Sequence, residues 1–452
     1  MSAQQAAAPH WRSDRRWVWA GWLAAHLIPV IWISIAGTST GDVQYYFRGM
    51  TGRDATAMDE YPEVGTWPTR LVSLLTDDEG AFVAGFIALS LIVSAVFTYC
   101  LLRWDRDPGH RAAWFWVAFA AVSGPIFLTR LDIFPGMLVA ATAALLLSDS
   151  PARSRWAPVL LAVATMMKLW PGVLAAGLVG GWRRAGTWAR IAWFVGGLVV
   201  LALIVLAIGG TDRLTSPLTY QTDRGLQVES ILATPLLLAY AITGDTERWH
   251  VQLAASKSWE ISGTGAQTLQ TVSTVGTALV VLAALAWAVA RLLRDDWTPL
   301  RSLAFFLAAV MGIIVTNKVF SPQYLVWLAP AVAVALIVSR RRIVSTIAWQ
   351  TVLAAFCTLL VYPGTYGLAV DNPSNLGGAL VFTVRNLVVL VLAVSCLRWC
   401  LTAGRTADHP DDAAARAGSG RSDVEDQGDR TVVDQVDRHV RAEPAGGDDG
   451  AR

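Results

Sequence analysis

Apolar runs of about twenty residues recur along most of this chain, separated by short polar or charged stretches. Each full run is long enough to cross a bilayer as one helix. They read as Trp17–Gly37, Ala81–Leu102, Ala112–Leu128, a run opening at Ile133, Ile191–Ile208, Leu269–Ala290, Leu303–Thr316, Leu325–Val338, Ile343–Val361 and about Gly378–Leu397. The expected fold is all-α: a polytopic membrane bundle.

One stretch breaks the pattern. The short apolar segments Ala157–Met167 and Pro171–Gly181 flank Lys168-Leu169-Trp170, and arginines bound the pair on both sides. Basic flanks belong on the cytoplasmic side. The stretch is therefore expected to go out and return as two short re-entrant helices, with Lys168 at the tip, facing a cavity. Broken helices at membrane depth are tolerated where they are buried or line such a cavity. The plainer alternative is one long helix carrying a snorkelling lysine. Ile231–Ile242 is too brief to cross and is expected at the interface, and Thr243–Gln267 reads as a polar loop. The same charge rule puts both ends of the chain in the cytoplasm and gives about twelve spans. The expected organisation is a cytoplasmic N-terminus (1–16), a transmembrane domain (17–400) and a disordered cytoplasmic tail (401–452), whose composition is too polar to bury a core.

Composition agrees. Of 452 residues, 54% are hydrophobic and 15% charged, against about 25% charged in soluble domains. A formal net charge of +2 gives no basic excess for nucleic acid. The four cysteines have no metal-ligand spacing, and neither a metal, a cofactor nor a disulfide scaffold is expected. The first apolar run lacks a clean cleavage site and reads as a retained span.

With the spans placed, most charges that topology does not explain fall on the outer face. Gly41-Asp42-Val43-Gln44-Tyr45-Tyr46 follows the first span. The long acidic loop after it holds Glu60-Tyr61-Pro62. Arg130-Leu131-Asp132 joins the third and fourth spans, Arg224 and Glu229 sit in a later outer loop, and Lys318 and Gln323 in another. Arg385 lies just inside the last span. Charge near hydrocarbon is costly and marks candidate function. Several cations around a few acids suit a bound phosphate beside a general base. At a membrane surface that phosphate belongs to a lipid. No phosphate-cradling glycine loop or dinucleotide fingerprint is present, so an activated lipid that brings its own leaving group fits better than a nucleotide. His26, inside the first span, reads as a packed residue.

These motifs, in this order, resemble glycosyltransferase family 87, polytopic enzymes of the GT-C type that include polyprenyl-phosphate-mannose-dependent α-mannosyltransferases. The resemblance runs from about Trp17 to Leu397. It is most specific in Arg224-Gly225-Leu226-Gln227-Val228-Glu229-Ser230 and Lys318-Val319-Phe320-Ser321-Pro322-Gln323-Tyr324-Leu325; Glu63 stands where the family often has a second proline. The resemblance implies sugar transfer from a polyprenyl-phosphate donor to a lipid or glycan hydroxyl, with inversion, on the extracytoplasmic face of the plasma membrane. It implies Asp42 as catalytic base, with Asp132 and Glu60 as alternatives. Together with the outer-face charges, the motifs give the expected substrate contacts: Tyr45, Glu60, Tyr61, Arg130, Asp132, Lys168, Arg224, Glu229, Lys318, Gln323 and Arg385. Mannose is the first expectation and arabinofuranose the second. A lipid or sugar transporter and a scaffold protein are the readings from other classes.

Overall fold

The computed structural model describes residues 13–37, 39–54, 56–222, 224–254 and 257–404, the side chains of 215–222 excepted. The expectations for Arg12 and for the tail beyond Gly404 lie outside the described residues. The described residues up to Ala403 form one compact unit.

Helices carry this unit. Among the described residues, seven are long and apolar enough to cross a membrane: Arg15–Ala36, Glu79–Trp104, Ala185–Leu214, Ala266–Arg294, Pro299–Thr316, Arg342–Val370 and Leu376–Thr402. Leu279, Leu282 and Leu285 stand exposed along one of them. Such a surface suits lipid, where the backbone is satisfied inside each helix. The protein is an all-α polytopic membrane protein. The expected dozen spans is not reached by length alone. Arg111–Ser123, Ile133–Leu146 and Pro322–Val338 are apolar but shorter.

Start signals are local. Asp78 caps Glu79–Trp104 by accepting from the Ala81 amide at 2.8 Å, and Asn375 caps Leu376–Thr402 through Gly378 at 3.0 Å. Each cap satisfies a donor that the first helical turn leaves unpaired. Leu325–Val338 is apolar all round and buried from Leu325 to Leu336, which makes it the centre of the bundle. Gly136 lets Ile133–Leu146 cross it closely, since a Cβ there would sit 2.4 Å from the Val326 carbonyl.

Two ends can be told apart by their contacts. One is tied by arginines: Arg184 to Asp295, Arg301 to Asp296, Arg340 to Asp107 at 2.6 Å, and Arg341 to the Thr402 carbonyl at 2.9 Å. The other carries the long loops. Helices such as Ala266–Arg294 run from the second to the first.

The loop end differs from expectation in two places. The first outer loop is not a plain loop. It folds into the helix Gly41–Met50, a 3-10 turn at Glu63–Thr66 and the helix Trp67–Ser73. Asp42 therefore sits in the first turn of a separate short helix rather than at a span end. The polar stretch after Thr243 contains an antiparallel hairpin, Trp249–Leu253 paired with Trp259–Gly263, in register Trp249↔Gly263 through Leu253↔Trp259. Its alternation, with Trp249 and Ile261 buried, is the period-two signal hidden in a Gly/Ser/Thr-rich segment. A lone hairpin is marginal in water. This one gains a third partner: the Val228 amide donates to the Trp259 carbonyl at 3.0 Å and the Ile261 amide to the Leu226 carbonyl at 2.9 Å.

His26 is packed as expected. Its Nε2 and Ser94 Oγ are 2.7 Å apart, and Ser94 Oγ also accepts from the indole nitrogens of Trp22 and Trp116, both at 3.1 Å. The cluster is closed on itself, as buried polar groups must be.

Candidate active site

At the loop end a cavity of about 820 Å³ opens. Nine of the expected residues line it: Asp42, Tyr45, Glu60, Tyr61, Arg130, Lys168, Arg224, Glu229 and Gln323. Asp132, Lys318 and Arg385 do not.

The helix Gly41–Met50 is built to face this cavity. Val43, Tyr46 and Phe47 form its buried side, Tyr46 against Phe86 and Phe47 against Phe82. The opposite stripe, at three-residue spacing, is Asp42, Tyr45 and Arg48, and all three line the cavity. Asp42 in the first turn also sits where the helix dipole favours negative charge. It pairs with Arg130, whose side chain is 11% exposed against 41% for Asp42. The acid is thus held by a buried cation while one side stays open to the cavity. Tyr45 donates from its hydroxyl to Glu60 Oε2 at 2.9 Å and accepts from the Met58 amide at 2.8 Å. Burial raises the Glu60 carboxyl above its ordinary value, against hydrogen bonds from its own backbone and Tyr45.

Lys168 arrives by a different route. The helix Trp156–Met167 stops there, with Lys168 in an extended conformation. The 3-10 helix Trp170–Leu178 then leads away, its Pro171 being unable to continue an α-helix from the preceding turn. This is the broken-helix arrangement rather than one long helix. Gly65 fixes the break in place: a Cβ there would meet the Met167 carbonyl at 2.4 Å. The same 3-10 turn holds Glu63, 2% exposed, between Arg70 at 2.5 Å and Arg213 at 3.0 Å. That double pairing is what the acid at the departed proline position does.

Asp132 was expected at the substrate, but it lies beneath the cavity floor, with its side chain wholly buried. Its Oδ1 accepts from Lys168 Nζ at 2.5 Å and from Trp327 Nε1 at 2.5 Å. A buried carboxylate here orients a lysine whose side chain remains 25% exposed. Trp327 stacks between Trp170 at 4.8 Å and Tyr324 at 3.9 Å, giving the cavity an aromatic wall beside that ammonium.

Arg385 was also expected to face substrate, and it too is wholly buried. Its Nη2 donates to the Glu229 carbonyl at 2.7 Å, its Nη1 is 3.6 Å from Glu229 Oε2, and its guanidinium lies over the Phe320 ring at 4.2 Å. Asn386 donates to Thr234 Oγ1 at 2.7 Å. The polar pair inside the last span thus anchors the Glu229–Thr234 stretch. Lys318 is likewise drawn into scaffolding through its backbone, since its carbonyl accepts from the Gln227 amide at 3.0 Å, while Gln227 Oε1 accepts from the Phe320 amide at 2.8 Å. The two most specific motifs, far apart in sequence, are therefore bonded to each other.

Sequence reasoning missed Arg48, Lys257, Tyr362 and Tyr366, which also line the cavity. Arg48 had a signal: it lies six residues beyond Asp42 and three beyond Tyr45, on the same helical face. Lys257 sits at the hairpin tip, and only the unread strand alternation pointed to it. Among the described residues, no three His, Cys, Asp or Glu side chains group as metal ligands would.

The model of glycosyltransferase family 87 matches residues 60–322, more than half of the chain. Glu60, Arg130, Asp132, Lys168, Arg224 and Glu229 lie inside that match; Asp42, Tyr45 and Arg385 lie outside it. No curated protein and no solved structure matches. With the match covering more than half of its length, this chain belongs to glycosyltransferase family 87.

Proposed function

We propose that this membrane glycosyltransferase takes a sugar, mannose in the first instance, from a polyprenyl-phosphate donor. It attaches the sugar to a lipid or glycan hydroxyl on the extracytoplasmic side of the plasma membrane, in a GT-C-like architecture of about twelve passes. The observation that carries the reading is the pairing of Asp42 with Arg130 at a cavity that also receives the Lys168 ammonium. One carboxylate is held open to the cavity, and a cation from a different element faces the same space. That division of labour is what an inverting transfer needs.

In the proposed step the acceptor oxygen attacks the anomeric carbon as its proton passes to the Asp42 carboxylate. The bond from the anomeric carbon to the phosphate oxygen breaks, and its electron pair leaves with the lipid phosphate. Lys168 and Arg224 hold that departing charge, since preorganised cations stabilise charge where it develops. Arg130 pairs with Asp42 and fixes its rotamer. Asp132 positions Lys168, and Glu229, Arg385 and Lys318 hold the loops that frame the cavity. Tyr45, Glu60, Tyr61 and Gln323 offer hydrogen bonds to the sugar.

The test is direct. Purified protein in nanodiscs is incubated with labelled polyprenyl-phosphate mannose, polyprenyl-phosphate arabinofuranose and a nucleotide sugar, each with an envelope lipid extract. Label should move from the mannose lipid into a new glycolipid. Transfer from the arabinofuranose lipid instead would change the sugar, and transfer from the nucleotide sugar alone would overturn the reading.

A further inference from the structure

The cavity's cations are not equivalent. Arg130 is matched by Asp42 and Lys168 by Asp132. Arg48 and Lys257 also line the cavity, yet among the described residues neither has a carboxylate within salt-bridge distance. They come from separate elements. Arg48 is in the last turn of the helix Gly41–Met50, one turn beyond Tyr45 on the same face. Lys257 sits at the hairpin tip, where its amide donates to the Ala254 carbonyl at 2.9 Å. Its ammonium lies 4.1 Å from the centre of the Tyr45 ring. Tyr45 is thus the meeting point: Lys257 stands over its ring and Arg48 stands one turn along.

Two cations from separate elements on one cavity give it a patch of positive potential that draws an anion. Lys257 acts on Glu60 and Asp54 at longer range, and each of these is also held by another partner. Glu60 accepts from the Tyr45 hydroxyl, and Asp54 accepts from the Thr56 amide and hydroxyl. An arginine fork beside a lysine point charge is the pairing that suits phosphate oxygens.

We propose that Arg48 and Lys257 form a second anion subsite, distinct from the Lys168 side of the cavity, that binds the phosphate ester of a lipid substrate. The proposal rests on the transferase reading above. The phosphate has two possible sources: the donor's polyprenyl monophosphate, or a phosphodiester headgroup on the acceptor.

The test measures binding without turnover. Parent, the Arg48→Gln/Lys257→Gln double variant and Lys168→Met are placed in nanodiscs of phosphatidylcholine. Each is titrated with polyprenyl monophosphate and, separately, with phosphatidylglycerol. Arg48 and Lys257 are exposed, so the double variant should fold like the parent. It should bind one of the two lipids about ten- to hundredfold more weakly, the loss of charge-assisted hydrogen bonds. Weakened polyprenyl monophosphate assigns the subsite to the donor; weakened phosphatidylglycerol assigns it to the acceptor. If the double variant binds both as the parent does while Lys168→Met loses polyprenyl monophosphate, the second subsite is refuted and the transferase reading stands. If no variant changes either titration, both fall.

Discussion

Arg385 donates from Nη2 to the backbone carbonyl of Glu229 at 2.7 Å, joining the interior of the last helix to the loop that frames the cavity. Both side chains are closed to solvent, at 0% and 2% exposure. Removing Arg385 leaves the buried Glu229 carbonyl without its charged donor, at a cost of about 1–3 kcal/mol. Arg385→Gln should therefore lower the thermal unfolding midpoint in detergent, and the unfolding curve measures it. An unchanged midpoint with a raised donor KM would return Arg385 to the substrate.

Glu229 carries a pH signature. Burial pushes its carboxyl up from 4.5 to about 7, against Arg385 and a hydrogen bond from Tyr366. The fold thus holds this proton more tightly than the unfolded chain does. Its contribution to stability is fully present below the unfolded value and is lost as pH rises through about 7. Unfolding midpoints measured across this window should fall for the parent relative to Glu229→Gln. A parent midpoint that rises relative to the variant would mean that Arg385 outweighs burial.

Lys168 and Asp132 should separate on mutation. Lys168→Met removes a cation from the cavity, so donor KM should rise by roughly ten- to hundredfold, the range for a lost charged hydrogen bond. Asp132→Asn leaves the ammonium in place but loosens it, and should cost less. Steady-state kinetics on both variants checks the order, and a larger donor defect in Asp132→Asn would reverse the assigned roles.

Cysteine reporters at exposed positions test orientation. With Cys100 replaced, reporters at Thr56 and Thr246 should label in intact cells. Reporters at Arg106 and Gly186 should label only after permeabilisation, because the arginine-tied end obeys the positive-inside rule. The reverse pattern would put the cavity in the cytoplasm.

Much of this was legible because hydrocarbon imposes a coarse code. Long apolar runs located the seven helices that are long enough to span among the described residues. The residues left over, such as Asp42 and Lys168, were those the code could not explain. Three things were not legible. The helix Gly41–Met50 is amphipathic but short, and its period is visible only over Asp42, Tyr45 and Arg48. The hairpin's alternation covers only five residues a strand and gains its stability from Leu226 and Val228, distant in sequence. Whether a charge faces substrate or scaffold depends on packing. Asp132 and Lys168 look alike as boundary charges, yet one is the buried support of the other. Arg385 looks like a site cation until its partner turns out to be the Glu229 carbonyl.

The central claim concerns Asp42. Asp42→Asn keeps the side chain's shape and removes its basicity. The deciding measurement is the turnover of this variant with labelled polyprenyl-phosphate sugar, alongside its binding of polyprenyl monophosphate. Binding should match the parent, while turnover falls by about 10²–10⁴, the usual cost of losing a general base. Turnover within about threefold of the parent, far short of that range, would contradict the account and move the base to another acid, with Glu60 the next to test.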